Sequence, residues 1–311
     1  MIDKMILEKY PLMKLTFEYV NKKYFLFHKT YNYIINFFDE DYLRFCEEIL
    51  SIFTKMCKKE ENYFKALDAF IEFSTMYLYL QAKLEREGKY LYSTFDEINK
   101  NVYQTQTMNE FYLDGLFLSQ ILWPNHYKFG QYFIDNKNLT NSESIVLDIP
   151  CGEGIYSYYL ARFFKFKELH LIDISPYSLS YTEDLLKCAS LFDNKRISLQ
   201  LEDVFRLTYF KKYDFIACGE LLEHIENPDE LLKKLRDILK DDGALFITTA
   251  IYSAAIDHIY LFKTVDEVKK LIGKYFQIIS EKILPTSLLE YNSGMINVSI
   301  SYGALLKKIA D

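Results

Sequence analysis

The chain has 311 residues and carries 27 Tyr, 25 Phe and 1 Trp, but only 10 Gly and 6 Pro; half of it is apolar. That balance excludes a disordered chain, which needs few aromatics and strong net charge, and a collagen-like or linker protein, which needs the missing glycine and proline. With 37 Lys and Arg against 44 Asp and Glu, the net charge of −7 argues against a nucleic-acid partner, whose binding rests on a basic surface.

The start of the chain places Asp3 and Glu8 where a secretory signal needs an unbroken apolar run, so no such signal is expected. No stretch approaches 18 uncharged apolar residues, so no membrane span is expected either. Cys46, Cys57, Cys151, Cys188 and Cys218 are scattered and odd in number, as reduced thiols of a cytoplasmic protein would be.

Residues 1–140 hold 31 of the 53 aromatics and only Gly88, Gly115 and Gly130. Apolar residues recur at three- and four-residue steps over 41–53 and again over 63–84, which predicts helices there. Gly88 closes the second of these, and Ser93-Thr94-Phe95-Asp96-Glu97 starts another. An apolar helix over 113–122 should stop near Trp123-Pro124, with Pro124 in the first turn of the next. The aromatic stripes are expected to be core and helix–helix packing, with a minority facing a substrate.

From Ser144 the pattern changes to short β-branched runs alternating with helices. Strands are predicted over 144–149, 168–174, 197–201, 213–218 and 244–250, with a helix over 229–239. Such alternation means parallel strands with crossover helices on both faces. A helix over 265–272 and strands over 276–283 and 296–305 follow, so the sheet is expected to end in an antiparallel pair.

Asp148-Ile-Pro-Cys-Gly-Glu-Gly follows the first strand and opens a helix at Ile155. Gly152 and Gly154 let backbone approach a ligand at the strand C-termini, where open α/β sheets bind. Position 157 is Ser where a dinucleotide fingerprint wants a third glycine. Asp148 suits a ligand bearing an ammonium and a sulfonium better than a pyrophosphate. Asp173 ends the second strand, where a carboxylate can accept from a ribose diol, and Asp203 follows the third, where it can accept from an adenine amine. Each acid alone also reads as a helix cap or loop residue; three at successive strand ends are far more specific.

In Val146-Leu-Asp-Ile-Pro-Cys-Gly-Glu-Gly, Leu171-Ile-Asp-Ile-Ser, Glu202-Asp-Val-Phe, Tyr213-Asp-Phe-Ile and Ile238-Leu-Lys-Asp-Asp-Gly-Ala-Leu-Phe-Ile the chain resembles the class I S-adenosylmethionine-dependent methyltransferases. The resemblance runs from about residue 130 to 311. It implies an α/β fold: a Rossmann-like seven-stranded methyltransferase sheet over 123–311, behind an N-terminal all-helical substrate or lid domain over 1–122. It also implies that Gly152 and Gly154 bed the methionine part of S-adenosyl-L-methionine, that Asp173 holds the ribose, and that Asp203 with Val204 reads the adenine. Glu153, Ile174 and Gly219 join this expected cofactor shell. Pro150 departs from the fuller pattern, which has glycine there, and stiffens the turn.

Glu220-Leu-Leu-Glu-His follows the fourth strand. On a helical turn Glu220, Glu223 and His224 would share a face, and His258 follows the neighbouring fifth strand. Two carboxylates and two imidazoles can hold a divalent metal: Mn, Fe, Co or Zn by ligand type, Mg less comfortably. The pattern is similar to that of the metal-dependent ubiquinone-pathway O-methyltransferases and of small-RNA terminal 2′-O-methyltransferases, while the same Glu-His also occurs in relatives that bind no metal. Without metal, His224 or Glu220 is the expected general base. His126, just before the sheet, either closes over the cofactor or packs between helices.

The expected activity is methyl transfer to an oxygen, less readily a nitrogen, of a small-molecule metabolite, in a chain that can dimerise through its helical half. The alternatives are an RNA-terminal 2′-O-methyltransferase, against which the acidic composition speaks, and a non-catalytic cofactor-binding scaffold.

Overall fold

Local capping signals set most helix ends. The computed structural model describes residues 2, 4–103, 105–287, 291–292 and 296–309, without the side chains of residues 4 and 106–110. Its first part is helical: α1 (Lys4–Leu7), α2 (Pro11–Lys23), α3 (Phe27–Phe37), α4 (Glu40–Cys57), α5 (Glu60–Glu87), α6 (Phe95–Ile98), α7 (Gln106–Leu122) and α8 (Pro124–Asp135). The Asp39 side chain accepts from the first turn of α4, Gly88 ends α5 in the left-handed region at φ 69°, and Thr94 and Glu97 form a reciprocal capping box on α6. A single π-helical turn, Asn99–Tyr103, links α6 to the segment before α7. Pro124 sits in the first turn of α8, as expected. No helix among the described residues is long and apolar enough to cross a membrane.

The second part alternates: β1 (Ile145–Asp148), α9 (Ile155–Phe163), β2 (Glu168–Asp173), α10 (Pro176–Cys188), β3 (Ile197–Leu201), β4 (Tyr213–Cys218), α11 (Pro228–Ile238), β5 (Leu239–Ile251), α12 (Val265–Ile272), β6 (Phe276–Pro285) and β7 (Ile300–Lys308). The sheet order is β3-β2-β1-β4-β5-β7-β6. Pairing is parallel from β3 to β5, and β7 runs antiparallel between β5 and β6. This is the expected seven-stranded Rossmann-like sheet with a helical N-terminal part. The fifth strand begins earlier than the sequence pattern placed it, at Leu239, because Leu239 pairs with Tyr213 before a register shift. The last strand begins later, at Ile300 rather than Ile296.

Period-two alternation sends successive strand residues to opposite faces. On one face Val146, Leu169, Phe215 and Phe246 join a core that runs unbroken into α2, α4 and α5. On the other, Leu147, Ile172, Ile216 and Leu245 pack against Leu231, Leu232 and Leu235 of α11 and Val268 of α12. Phe133 of α8 is fully buried and lies within 4.8–6.2 Å, ring to ring, of Tyr156, Tyr159, Phe164, Phe215 and Phe246. Burying one such side chain stabilises by roughly 1.5–3 kcal/mol. The aromatic helices are thereby fixed over the C-terminal ends of the central strands.

Candidate active site

A cavity of about 620 Å³ opens where β1, β2 and β4 end and the helical part overhangs them. That volume suits a nucleotide-sized ligand with a small second molecule. Its floor is loop: Ile149–Glu153 after β1, Asp173–Ser175 after β2, Glu202–Phe205 after β3 and Gly219–Leu221 after β4. Its roof is aromatic, with Phe73 and Tyr77 from α5, Tyr103, Tyr112 and Trp123.

Gly152 and Gly154 divide their labour. Gly152, at φ 51°, lines the cavity, and a Cβ built on it meets nothing within 4 Å. It leaves a backbone cradle open to a ligand. Gly154, at φ 83°, does not line the cavity: a Cβ there would lie 2.8 Å from Thr182 Oγ1 and 3.1 Å from Leu185. Close approach of α9 to α10 is what requires it, a correction to its expected contact with the methionine part. Gly219 lines the cavity and admits the Tyr156 ring, which a Cβ would meet at 2.5 Å.

Asp148 also departs from expectation. It is fully buried and forms no part of the cavity wall. Ser157 Oγ donates to its Oδ2 at 2.5 Å, while Oδ1 is buried without a protein hydrogen-bond partner. Burial pushes its pKa up to about 8. The side chain points into the protein at the end of β1 and ties that strand end to α9 through Ser157.

The remaining expected cofactor residues line the cavity: Glu153, Asp173, Ile174, Asp203, Val204 and Gly219. Asp173 Oδ2 accepts from Gly152 N at 2.9 Å and Oδ1 from Ser175 N at 2.8 Å, which ties the first loop to the second. Burial raises its pKa to about 6. Glu153 is buried as well, and burial, with Glu220 and Asp173 nearby, lifts it to about 7. Asp203 Oδ1 accepts from Phe205 N at 2.9 Å and caps the short turn Val204–Arg206. These residues fit a cofactor with a cationic end and a hydroxyl-rich middle: a glycine cradle at one end, acceptor carboxylates along the strand tips.

At the opposite wall Glu223, His224 and His258 place one ligand atom each within 4.8 Å of the others. Glu220 falls outside that group. The turn after β4 is a tight 3₁₀ helix over Leu222–His224, and Glu220 precedes it at φ 46° with its N–H on Thr248 O, so the expected α-helical face never forms. Glu220 still stands close enough to raise the Glu223 pKa, after burial, the larger cause. Glu223 is inaccessible to solvent; its carboxylate accepts from Thr249 Oγ1 at 2.6 Å and Ala250 N at 3.2 Å.

Both histidines are oriented by backbone. Asp257 O accepts from His224 Nδ1 at 2.9 Å and Ser253 O from His258 Nδ1 at 2.8 Å. A carbonyl only accepts, so each Nδ1 carries a hydrogen and Nε2 is the ring nitrogen left to meet a ligand. Burial, with His224 beside it, pulls His258 down to about 3. The donor set fits a divalent ion: two oriented imidazoles, one buried carboxylate, and no neighbouring lysine or arginine among the described ion pairs of the three.

His126 lines the cavity near Trp123, ring centroids 5.0 Å apart. Ser119 Oγ donates to Leu116 O and so accepts from His126 Nδ1 at 3.0 Å. Burial lowers this histidine to about 4, leaving it neutral. Asp257, Tyr103 and Tyr112 were not anticipated. Asp257 takes Tyr112 Oη on Oδ1 and Tyr103 Oη on Oδ2, directly behind His224 and His258. Only its position next to His258 pointed toward it.

Residues 147–245 match the methyltransferase domain family. A ubiquinone biosynthesis O-methyltransferase of Glaesserella parasuis is 29% identical over 156 residues, 48% of this chain and 62% of that protein. An (S)-coclaurine N-methyltransferase of Papaver somniferum is 29% identical over 126 residues, 40% of this chain and 35% of that protein. The matches thus span less than two thirds of these relatives. The structure of phosphoethanolamine N-methyltransferase 2 of Haemonchus contortus with S-adenosyl-L-methionine superposes at a TM-score of 0.52 and 14% identity, over 70% of this chain and 60% of that one, a likeness of fold. Glycine loop, strand-end acids, sheet order and relatives agree: residues 147–245 lie in a methyltransferase domain of the class I S-adenosylmethionine-dependent kind.

Proposed function

We propose that this protein transfers a methyl group from S-adenosylmethionine to an oxygen or nitrogen of a small molecule held under the helical roof. One observation carries the reading. A single cavity joins the Gly152–Asp173 cradle to three oriented histidines, His126, His224 and His258.

The cofactor, when bound, supplies the methyl: the acceptor's lone pair forms the new bond to carbon while the C–S pair returns to sulfur. Gly152 backbone and Glu153 bed its amino-acid end, Asp173 accepts from its ribose, and Asp203 with Val204 and Ile174 flanks the adenine. Positioning supplies most of the rate in such a reaction. His224 or His126 receives the acceptor's proton on Nε2, since Nδ1 of each already donates. The roof over residues 1–122 acts as lid and acceptor pocket, contributing Phe73, Tyr77 and Tyr112 to the wall.

Glu223, His224 and His258 are the residues that would hold a divalent ion. Such an ion, when bound, would lower the pKa of an acceptor hydroxyl. In its absence His224 or His126 serves as the base.

Incubation with methyl-labelled cofactor and a panel of phenols, alcohols and amines tests the reading. Label should appear in an acceptor with equimolar S-adenosylhomocysteine; cofactor binding without turnover on any acceptor would favour the scaffold alternative.

A further inference from the structure

Nine of the residues lining the cavity are Asp or Glu, among them Asp96, Glu220, Glu226, Glu230 and Asp257 outside the residues assigned to the cofactor, and among the described residues none is Lys or Arg. The chain holds 37 Lys and Arg, so cations were available and are placed elsewhere. Three lining histidines against nine carboxyls do not repair the imbalance.

We infer that the methyl acceptor is uncharged or cationic with an apolar or aromatic body, and that carboxylate- and phosphate-bearing acceptors are excluded. This rests on the methyl-transfer reading and narrows its substrate class. An anion entering here would lose hydration and meet carboxylates instead of a counter-charge. Even a divalent ion on Glu223, His224 and His258 leaves the wall net acidic. An amine gains in the same field, and the rings of Phe73, Tyr77 and Trp123 give its body an apolar bed and its charge a π face. The proton lost by an amine nucleophile goes to a histidine Nε2, as for a hydroxyl.

Trp123 is the sole tryptophan and lines the cavity, so its fluorescence reports occupancy. The protein is first saturated with S-adenosylhomocysteine, then titrated with 3-phenylpropylamine, 3-phenylpropanol and 3-phenylpropionate, three probes of one skeleton and different charge. The amine and alcohol should bind at least about tenfold more tightly than the acid. Glu226→Gln, outside the cofactor loops, should narrow the gap between amine and acid while leaving the alcohol unchanged. An acid that binds as well as the alcohol, a gap that Glu226→Gln leaves intact, or no response to amine and alcohol at millimolar concentration overturns the inference. Failure of S-adenosylhomocysteine itself to bind would instead overturn the methyl-transfer reading.

Discussion

Tyr112 Oη donates to Asp257 Oδ1 at 2.9 Å across 145 residues of sequence. The bond joins the helical roof to the loop that carries His258, and Tyr103 makes a second such bond, at 3.2 Å, to the other oxygen. Burial raises both phenols well above their ordinary pKa, so both remain donors.

Tyr112→Phe should therefore cost about 1.5–3 kcal/mol, the range for a hydrogen bond to a buried charged group. Urea unfolding checks the magnitude. The roof forms the acceptor side, so KM for the acceptor should rise more than the Kd for S-adenosylhomocysteine. Unchanged stability would show that Asp257 does not anchor the roof.

Gly152→Ala and Gly154→Ala should separate. Both impose left-handed strain of about 1–2 kcal/mol. Gly152→Ala adds no clash, and its main effect should be on the cofactor, whose place its methyl group takes. Gly154→Ala drives Cβ to 2.8 Å from Thr182 Oγ1 and should lose a further 1–3 kcal/mol. Thermal unfolding of the pair, without ligand, decides it; equal losses would contradict the distinction.

The unliganded protein should lose stability between about pH 6.5 and 8. In that window the buried His126 and His258, with folded values near 4 and 3 against 6.5 ordinarily, are neutral folded; unfolded they shed the protons they still hold, about half of one each at its lower edge, which opposes the trend without reversing it. Asp148 and Glu153, raised to about 8 and 7 from 3.8 and 4.5, keep protons in the fold that the unfolded chain has released. The folded state binds more protons, so unfolding free energy falls as pH rises, by up to about 1.4 kcal/mol per pH unit for each full proton. Asp148→Asn should flatten the slope in urea titrations; a slope rising with pH would contradict these assignments.

If Glu223, His224 and His258 hold an ion, elemental analysis of the purified protein should find about one per chain, lost in both Glu223→Ala and His258→Ala. No bound metal, with activity indifferent to a chelator, would leave the histidines as bases alone.

Much of the sheet was legible because buried parallel strands are short β-branched runs with nothing ambiguous between them: β1 to β4 lie within a residue or so of their predicted places. The strand-end acids Asp173 and Asp203 were legible for the same reason, since strand ends fix where loops begin. What failed depended on local backbone geometry or on distant pairing. The turn at Glu220 is 3₁₀ and not α, which removes Glu220 from the His224 face. Asp148 carries the same sequence signal as Asp173 but ends its strand pointing inward. The Tyr103 and Tyr112 contacts with Asp257 join segments about 150 residues apart, which no local spacing encodes.

The central claim is that the Gly152–Asp173 cradle binds S-adenosylmethionine, and calorimetric titration with S-adenosylhomocysteine tests it most directly. The account predicts one molecule bound per chain and an affinity weakened at least about tenfold by Gly152→Ala. No binding of either the homocysteine or the methionine form, or binding that Gly152→Ala leaves untouched, would contradict it.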